Sequence, residues 1–347
     1  MLAFGRRLGG RVGLLDSYRM RLRRKRRLLR CLRKGRELIP ISDNSAGIRD
    51  GDVLLLSVIR NEKIRLPYFL SYYRKLGVDH FLFVDNDSDD GSAEFLSGQG
   101  DVSVWSSKGS YKSATFGVDW ANYLLRKHAH DHWVLTVDPD ELFVYPFCDT
   151  RPIGALTDWL DSTGVRSFGT MLIDMYPKGP IDEAPYKEGE NPLEIAQWFD
   201  TGNYTITRNP TYGNLWIQGG PRHRVFFQDN PQKAPALNKI PLVKWNRRYA
   251  YVSSTHALLP RGLNQVYDEA GGEKTSGALL HAKLIDTLND KTQEEKERLQ
   301  HYGTSREYRA YLSGLKDRPV FWCEWSERYI NWRQLEILGL MSKGNWA

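Results

Sequence analysis

The chain has 347 residues, of which 41% are hydrophobic, 12% aromatic and 26% charged, a balance that suits a packed globular protein and excludes a disordered or collagen-like one. Its formal net charge of +7, from 49 Lys and Arg against 42 Asp and Glu, raises nucleic acid or anionic lipid as a partner. Residues 1–40 hold 14 basic and two acidic residues, a local +12, while residues 41–347, with 35 basic against 40 acidic, carry −5, so the basic character belongs to a tail and nucleic acid is not an expected partner.

Tyr18, Leu22, Leu29 and Leu32 recur at helical spacing and predict a short, very basic helix over about 14–38. Ile39-Pro40 and the cluster Ser42-Asp43-Asn44-Ser45 read as a linker. The basic arm suits a solvated tail and a peripheral anchor on an anionic membrane surface equally well.

From residue 53 the pattern alternates between apolar runs and helical segments. Strands are predicted over 53–59, 80–84, 102–105 and 133–137. Between them lie a helix over 68–76, with Pro67 in its first turn and Gly77 as its stop, a turn and short helix after Asp85, and a long helix over 113–128. Further on come a helix over 153–162, a strand over 165–174 and a Pro/Gly-rich loop over 176–192. Short strands follow near 215–218, 224–227, 249–254 and 279–285, and helical patterns return in the last 55 or so residues. Strands separated by helices predict an α/β fold whose sheet is mostly parallel, with ligands at the carboxyl ends of its strands. The expected division is a basic arm and linker over 1–45, a catalytic domain over 46–290 and a C-terminal helical extension over 291–347.

Cys31, Cys148 and Cys323 are far apart and show no zinc-type spacing, so a reducing compartment is expected. No run of about 18 apolar residues occurs, so no membrane-spanning helix is expected and the location reads as cytoplasmic.

Each early strand ends in polar residues: Arg60-Asn61-Glu62, Asp85-Asn86, Ser106-Ser107-Lys108 and Asp138-Pro139-Asp140-Glu141. Carboxylates gathered at one sheet edge repel each other unless a cation, a basic partner or ample solvent offsets them. Asp138 and Asp140, at i and i+2, leave the strand toward the same side, and Pro139 stiffens the backbone between them. Oxygen ligands of this kind suit Mg2+ or Mn2+ better than zinc and leave positions open for phosphate oxygens. Acid pairs at strand ends also cap turns, so the pair alone is a weak signal.

Four ordered motifs strengthen it. The segments Ser57-Val58-Ile59-Arg60-Asn61-Glu62, Pro67-Tyr68-Phe69-Leu70-Ser71-Tyr72-Tyr73-Arg74-Lys75-Leu76-Gly77-Val78, Asp85-Asn86-Asp87-Ser88-Asp89-Asp90-Gly91-Ser92 and Asp138-Pro139-Asp140-Glu141 together resemble bacterial glycosyltransferases of the family 2 type, in the branch close to glycosyltransferase family 92. The resemblance covers about residues 53–285. It implies a GT-A fold, a nucleotide-diphosphate sugar donor (UDP-linked in the first instance) and a divalent metal. It also implies that Arg60, Asn61, Glu62 and Asp85 lie against base and ribose, while Asp138 and Asp140 hold metal and diphosphate.

On the residues themselves, Asp85 suits ribose hydroxyls or a base N–H, and equally the cap of the turn into Ser92. Arg60 and Lys108 are candidate phosphate or base contacts, Asn86 beside Asp85 is a candidate donor contact, and Asn61 and Glu62 form the loop near the nucleotide. Gly219-Gly220-Pro221-Arg222-His223-Arg224 offers Arg222 and Arg224 to a diphosphate or an anionic acceptor, and Lys239 and Lys244 add charge. His281, in Leu279-Leu280-His281-Ala282-Lys283, and His256 compete to complete the metal shell. An inverting transfer needs a carboxylate base, for which Asp174 is the first candidate and Asp200 the second. Among the 11 Trp, Trp120, Trp133 and Trp159 sit on apolar periodicities and are expected in the core, whereas Trp198, Trp216 and Trp245 are candidates for sugar stacking. The expected function is sugar transfer to a glycan or lipid-linked acceptor in bacterial surface polysaccharide assembly, at or near the inner membrane surface. A catalytically silent sugar-nucleotide binder of the same fold and a metal-dependent phosphotransferase are the competing classes.

Overall fold

A computed structural model describes residues 14–183, 185–267, 274–288, 291, 292, 294, 306–316 and 318–347. The basic segment forms helix α1 (Leu14–Lys34). Residues 39–42, expected as linker, are instead strand β1 (Ile39–Ser42), because the outer backbone groups of a neighbouring strand are open to pairing there.

The apolar run β2 (Val53–Ile59) is buried along almost its whole length, as a strand covered on both faces must be. Its side chains alternate between two cores. Leu55 and Ile59 meet Phe69 and Tyr73 of α2 (Leu66–Leu76) on one face. Leu54 and Leu56 meet Trp120 and Leu124 on the other. Full burial of each such leucine contributes roughly 1.5–3 kcal/mol, so the period-two alternation itself fixes a three-layer arrangement with helices on both faces.

Strands β3 (His80–Asp85), β4 (Val102–Ser106) and β5 (Trp133–Thr136) lie parallel to their neighbours in the order β4-β3-β2-β5. Short helix α3 (Ser92–Ser97) joins β3 to β4, and α4 (Val118–His128) leads to β5. The helix expected from residue 113 begins only at Val118, since Thr115, Phe116 and Gly117 all adopt positive φ in a preceding turn. This is the expected parallel half of an α/β fold.

The other half is mixed. It draws on β6 (Glu141–Val144), which follows the acidic motif directly, and β7 (Ser167–Asp174), reached through helix α5 (Ile153–Ser162). After short helix α6 (Pro192–Ile195), strands β8 (Trp198–Asp200), β9 (Tyr204–Arg208) and β10 (Leu215–Gly219) lie outside the main sheet. Residues 224–227, expected as a strand, fall at the end of helix α7 (Gly220–Phe226), because Gly219 and Gly220 turn the chain at positive φ and Pro221 suits a first helical turn. Strand β11 (Asn238–Lys244) was not expected, and it bridges β5 and β7 antiparallel to both. Its Pro241 coincides with a register shift, the setting in which a sheet tolerates proline.

The extended stretch expected over 249–254 shortens to β12 (Ala250–Tyr251), paired with β13 (Leu258–Leu259). Strand β14 (Gly277–His281) runs parallel to β7 and antiparallel to β6, completing the sheet order β1-β4-β3-β2-β5-β11-β7-β14-β6. Helices Arg306–Leu315 and Trp332–Ile337 lie in the C-terminal region. Among the described residues no helix is long and apolar enough to cross a membrane.

Candidate functional site

The register of three strands gathers the site. β14 ends at His281, which stands opposite Glu141 of β6 and Asp174 of β7. The backbone of the acidic motif is tied to the same point, since the Ala282 N–H donates to the Asp140 carbonyl at 2.8 Å. His281 Nδ1 lies 2.7 Å from Asp174 Oδ1, and its Nε2 lies 3.3 Å from Asp140 Oδ2. An ionised Asp174 can only accept, so Nδ1 carries the proton and Nε2 is the atom turned toward Asp140. The second Asp174 oxygen accepts from Arg222 Nε at 2.7 Å.

Burial acts to raise the Asp140 pKa, but the His281 ring outweighs it, with Arg65 and Lys283 beyond, and holds the carboxyl well below its usual range. Burial likewise opposes ionisation of Asp174, and Arg222 and His281 overcome it. For His281 burial favours the neutral ring, while Asp140 and Asp174 raise its pKa above 6.5.

A second cluster adjoins the first. Lys239, with its side chain only 6% exposed, reaches Glu141 Oε1 at 2.7 Å and Asp138 Oδ2 at 3.3 Å. Burial would favour a neutral amine, and the two carboxylates reverse that and keep it charged. Asp138 is the open member of the group, with its side chain 54% exposed.

A divalent cation fits this arrangement in one specific way. Among the described residues no group of three or more His, Cys, Asp or Glu side chains surrounds a common point, so the protein offers no closed cage. It does offer an oxygen and an imidazole nitrogen, Asp140 Oδ2 and His281 Nε2, aimed at each other. The nitrogen is held there by a carboxylate on the far ring atom, the arrangement that orients metal-bound histidines. Such a pair suits Mn2+ or Mg2+ completed by water and ligand oxygens.

Two cavities meet at these residues. The smaller, about 170 Å3, is lined by Arg60, Glu62, Asn86, Asp138, Asp140 and His281. Arg65, Lys283 and Lys291 bring further positive charge to its wall. The larger cleft, about 1310 Å3, shares Tyr111, Asp138, His281 and Lys283 with the first and adds Trp216, Arg222 and His256.

The remaining expected residues divide clearly. Arg60 Nη1 donates to the carbonyls of Asn86, at 2.8 Å, and Asp87, and its Nε meets Glu294 at 2.6 Å. Asn61 holds the loop through Asp89 N and Glu294, and Glu62 pairs with Arg65 and Lys291. Asp85 is buried and accepts from both the backbone N–H and the hydroxyl of Ser88, so it caps the turn while Asn86 faces the crevice. Lys108 is exposed and lines neither cavity.

Asp174 and Asp200, expected as general bases, are buried and engaged elsewhere, and neither lines the cleft. Asp200 takes two hydrogen bonds from Arg224, at 2.9 and 3.1 Å, and one from the Tyr176 hydroxyl, which also keeps Arg224 away from the cleft. His256 is not part of the His281 and Asp140 pair. Its Nδ1 sits 2.6 Å from the Asn238 carbonyl, and burial lowers its pKa to about 4. Of the suspected tryptophans only Trp216 lines the cleft; Trp245 is fully buried against Tyr251, and Trp198 packs near Trp322. Arg65 and Lys291 escaped the sequence reading, Arg65 because it sits just before a helix among ordinary surface-type charges. Lys283 was legible only as the neighbour of His281.

No protein-family profile matches the chain, and a search of curated proteins finds no relative. Solved structures match in part. One is a mannosyltransferase from Pyrobaculum calidifontis in complex with GDP-Man and Mn2+, 17% identical over 45% of this chain and 46% of that one, with a TM-score of 0.26. Another is a 4-diphosphocytidyl-2C-methyl-D-erythritol synthase, 16% identical over 40% of this chain and 65% of that one, with a TM-score of 0.24. The chain thus spans just under half of the mannosyltransferase and under two thirds of the synthase. Both likenesses are too low and too partial to transfer a role, and the residue roles below rest on this chain's own geometry.

Proposed function

We propose that this chain is a metal-dependent glycosyltransferase of GT-A type that takes a sugar from a nucleotide-diphosphate donor, UDP-linked in the first instance, and passes it to a glycan or glycolipid acceptor in bacterial surface polysaccharide assembly. The observation that carries this reading is the His281 ring, aimed at Asp140 by Asp174 on the border between a small crevice lined by both basic and acidic side chains and a large cleft. Asp140 and His281 would hold Mn2+ or Mg2+, which when bound neutralises charge on a departing diphosphate. Arg60, Arg65, Lys283 and Lys291 line the crevice, three of them paired with Glu62 or Glu294, and are the groups that would meet the same phosphates. Arg222 and Asp174 act through His281 as positioning residues. The larger cleft, with Trp216 and Tyr111 on its wall, suits the acceptor.

Inversion would require a carboxylate beside the acceptor hydroxyl. Among the described residues the cleft carries two carboxylates, Asp138 and Glu141, and Glu141 is locked to Lys239. The paired state of Asp174 and Asp200 favours one alternative, a sugar-nucleotide binder without turnover. Release of nucleoside diphosphate from UDP-, GDP- and dTDP-sugars, with mixed glycan acceptors and Mn2+, separates the two. Turnover abolished by a chelator and by Asp140→Ala supports the transferase, and donor binding without release supports the binder.

A further inference from the structure

Helix α1 carries two faces with different jobs. Its inner face is fastened to the body: Arg30 Nε meets Asp119 Oδ2 at 2.6 Å, Lys34 Nζ meets Ser113 Oγ at 2.9 Å and Glu37 at 2.6 Å, Arg27 reaches Thr115 Oγ1 at 3.2 Å, and Cys31 is fully buried. Asp119, completely buried, gives that docking a fixed anchor. Among the described residues the outer face has no such partners. Leu15, Tyr18, Leu22, Leu29 and Leu32 stand 74%, 60%, 36%, 59% and 43% exposed. Their spacing of three, four, seven and three residues places them within about 100° of one another on one side of the helix, interrupted by Lys25 between Leu22 and Leu29.

The residues within and around that stripe are cationic. Arg19, Arg21, Arg23, Lys25, Arg26 and Arg33 are all exposed on the same helix, whose acidic content is Asp16 alone. An apolar stripe bordered by arginines on a helix too polar to cross a bilayer is the chemistry of a helix lying in an anionic lipid interface, with leucines among the acyl chains and guanidinium groups at phosphate level. A second copy of this chain would bring two such cationic borders together, which charge opposes, and a nucleic acid offers nothing to the leucines.

We propose that the outer face of α1 is a docking surface for an anionic lipid bilayer. The helix also fixes how the body sits on that bilayer. Arg27 lines the large cleft together with Tyr111, Lys112 and Thr115, so the membrane-facing helix borders its mouth. On the functional reading above, that geometry presents the cleft to acceptors carried on lipid.

The test is vesicle co-sedimentation of the full chain at low and high salt, which needs neither donor nor turnover, so its failure leaves the nucleotide-sugar reading untouched. Wild type is expected to bind phosphatidylcholine vesicles containing phosphatidylglycerol, to ignore pure phosphatidylcholine, and to lose binding as salt rises. The double variant Leu22→Glu and Leu29→Glu is expected to bind at least ten-fold more weakly with an unchanged melting temperature. Arg23→Glu with Arg26→Glu gives an independent charge arm with the same expectation. Equal sedimentation of wild type and both variants would overturn the proposal. So would a change in oligomeric state with no change in vesicle binding, which would make the stripe a contact between copies. Absence of binding to phosphatidylglycerol vesicles by wild type would overturn it outright.

Discussion

At the scale of single residues, the site depends on which atoms are already committed. Asp174 looked like a base because it leaves a strand into the expected active edge, yet both its oxygens are taken, by Arg222 and His281. Its carboxylate fixes which nitrogen of His281 faces Asp140. Asp174→Asn should therefore weaken Mn2+ binding about 10- to 100-fold, read by titration calorimetry, while a variant at the exposed Lys108 should leave it unchanged. A different residue sets part of the pH dependence of stability. His128 packs against Trp105, its Nε2 is buried without a partner among the described residues, and burial followed by Lys127 lowers its pKa to about 4. The folded ring stays neutral where an unfolded histidine takes up a proton, so its contribution is full above about pH 6.5 and is lost as pH falls toward 4. The melting temperature should fall across that window, and His128→Asn should flatten the slope.

At the scale of elements, the parallel half was legible because β2, β3, β4 and β5 are short continuous apolar runs separated by helix-length patterns. The mixed half was harder for identifiable reasons. β11 carries Lys239 and Pro241 in a central position, and neither reads as a buried strand until Asp138 and Glu141 pair the lysine and a register shift accommodates the proline. α7 begins with two glycines and a proline and reads as extended. Asp140 and His281 were each legible as candidates because strand ends and chemistry coincide there, with His256 as a competitor, whereas the engagement of Asp200 by Arg224 and Tyr176 is set by contacts distant in sequence. The strand that carries His281 is also tightly fitted. A Cβ on Gly277 would lie 2.5 Å from the Val144 carbonyl oxygen and 2.9 Å from Phe168. Gly277→Ala should cost about 1–3 kcal/mol in a denaturant titration and weaken metal binding with it. At the helical docking seam, Arg30→Ala leaves the buried Asp119 with Thr115 Oγ1 but without its guanidinium, and should cost about 2 kcal/mol.

At the scale of the whole molecule, the charge is divided by function. The excess of basic over acidic residues is concentrated on α1, which lies along α4 and borders the large cleft through Arg27. The acidic residues at the strand ends are answered internally by Lys239, His281, Arg222 and Arg65, so the site rests as a balanced network. A donor and a divalent cation would enter such a network together, each supplying charge that the other needs. The most direct measurement is the melting temperature of the full chain with UDP-, GDP- and dTDP-sugars, each with Mn2+ and with a chelator. A ligand at a hundred-fold excess over its dissociation constant stabilises the native state by about 2.7 kcal/mol, which is roughly 4 °C for a chain of this size. The account predicts such a rise for at least one donor, only when Mn2+ is present, and its loss in Asp140→Ala and His281→Ala. A rise of equal size in the chelator, or one that survives both substitutions, would contradict it.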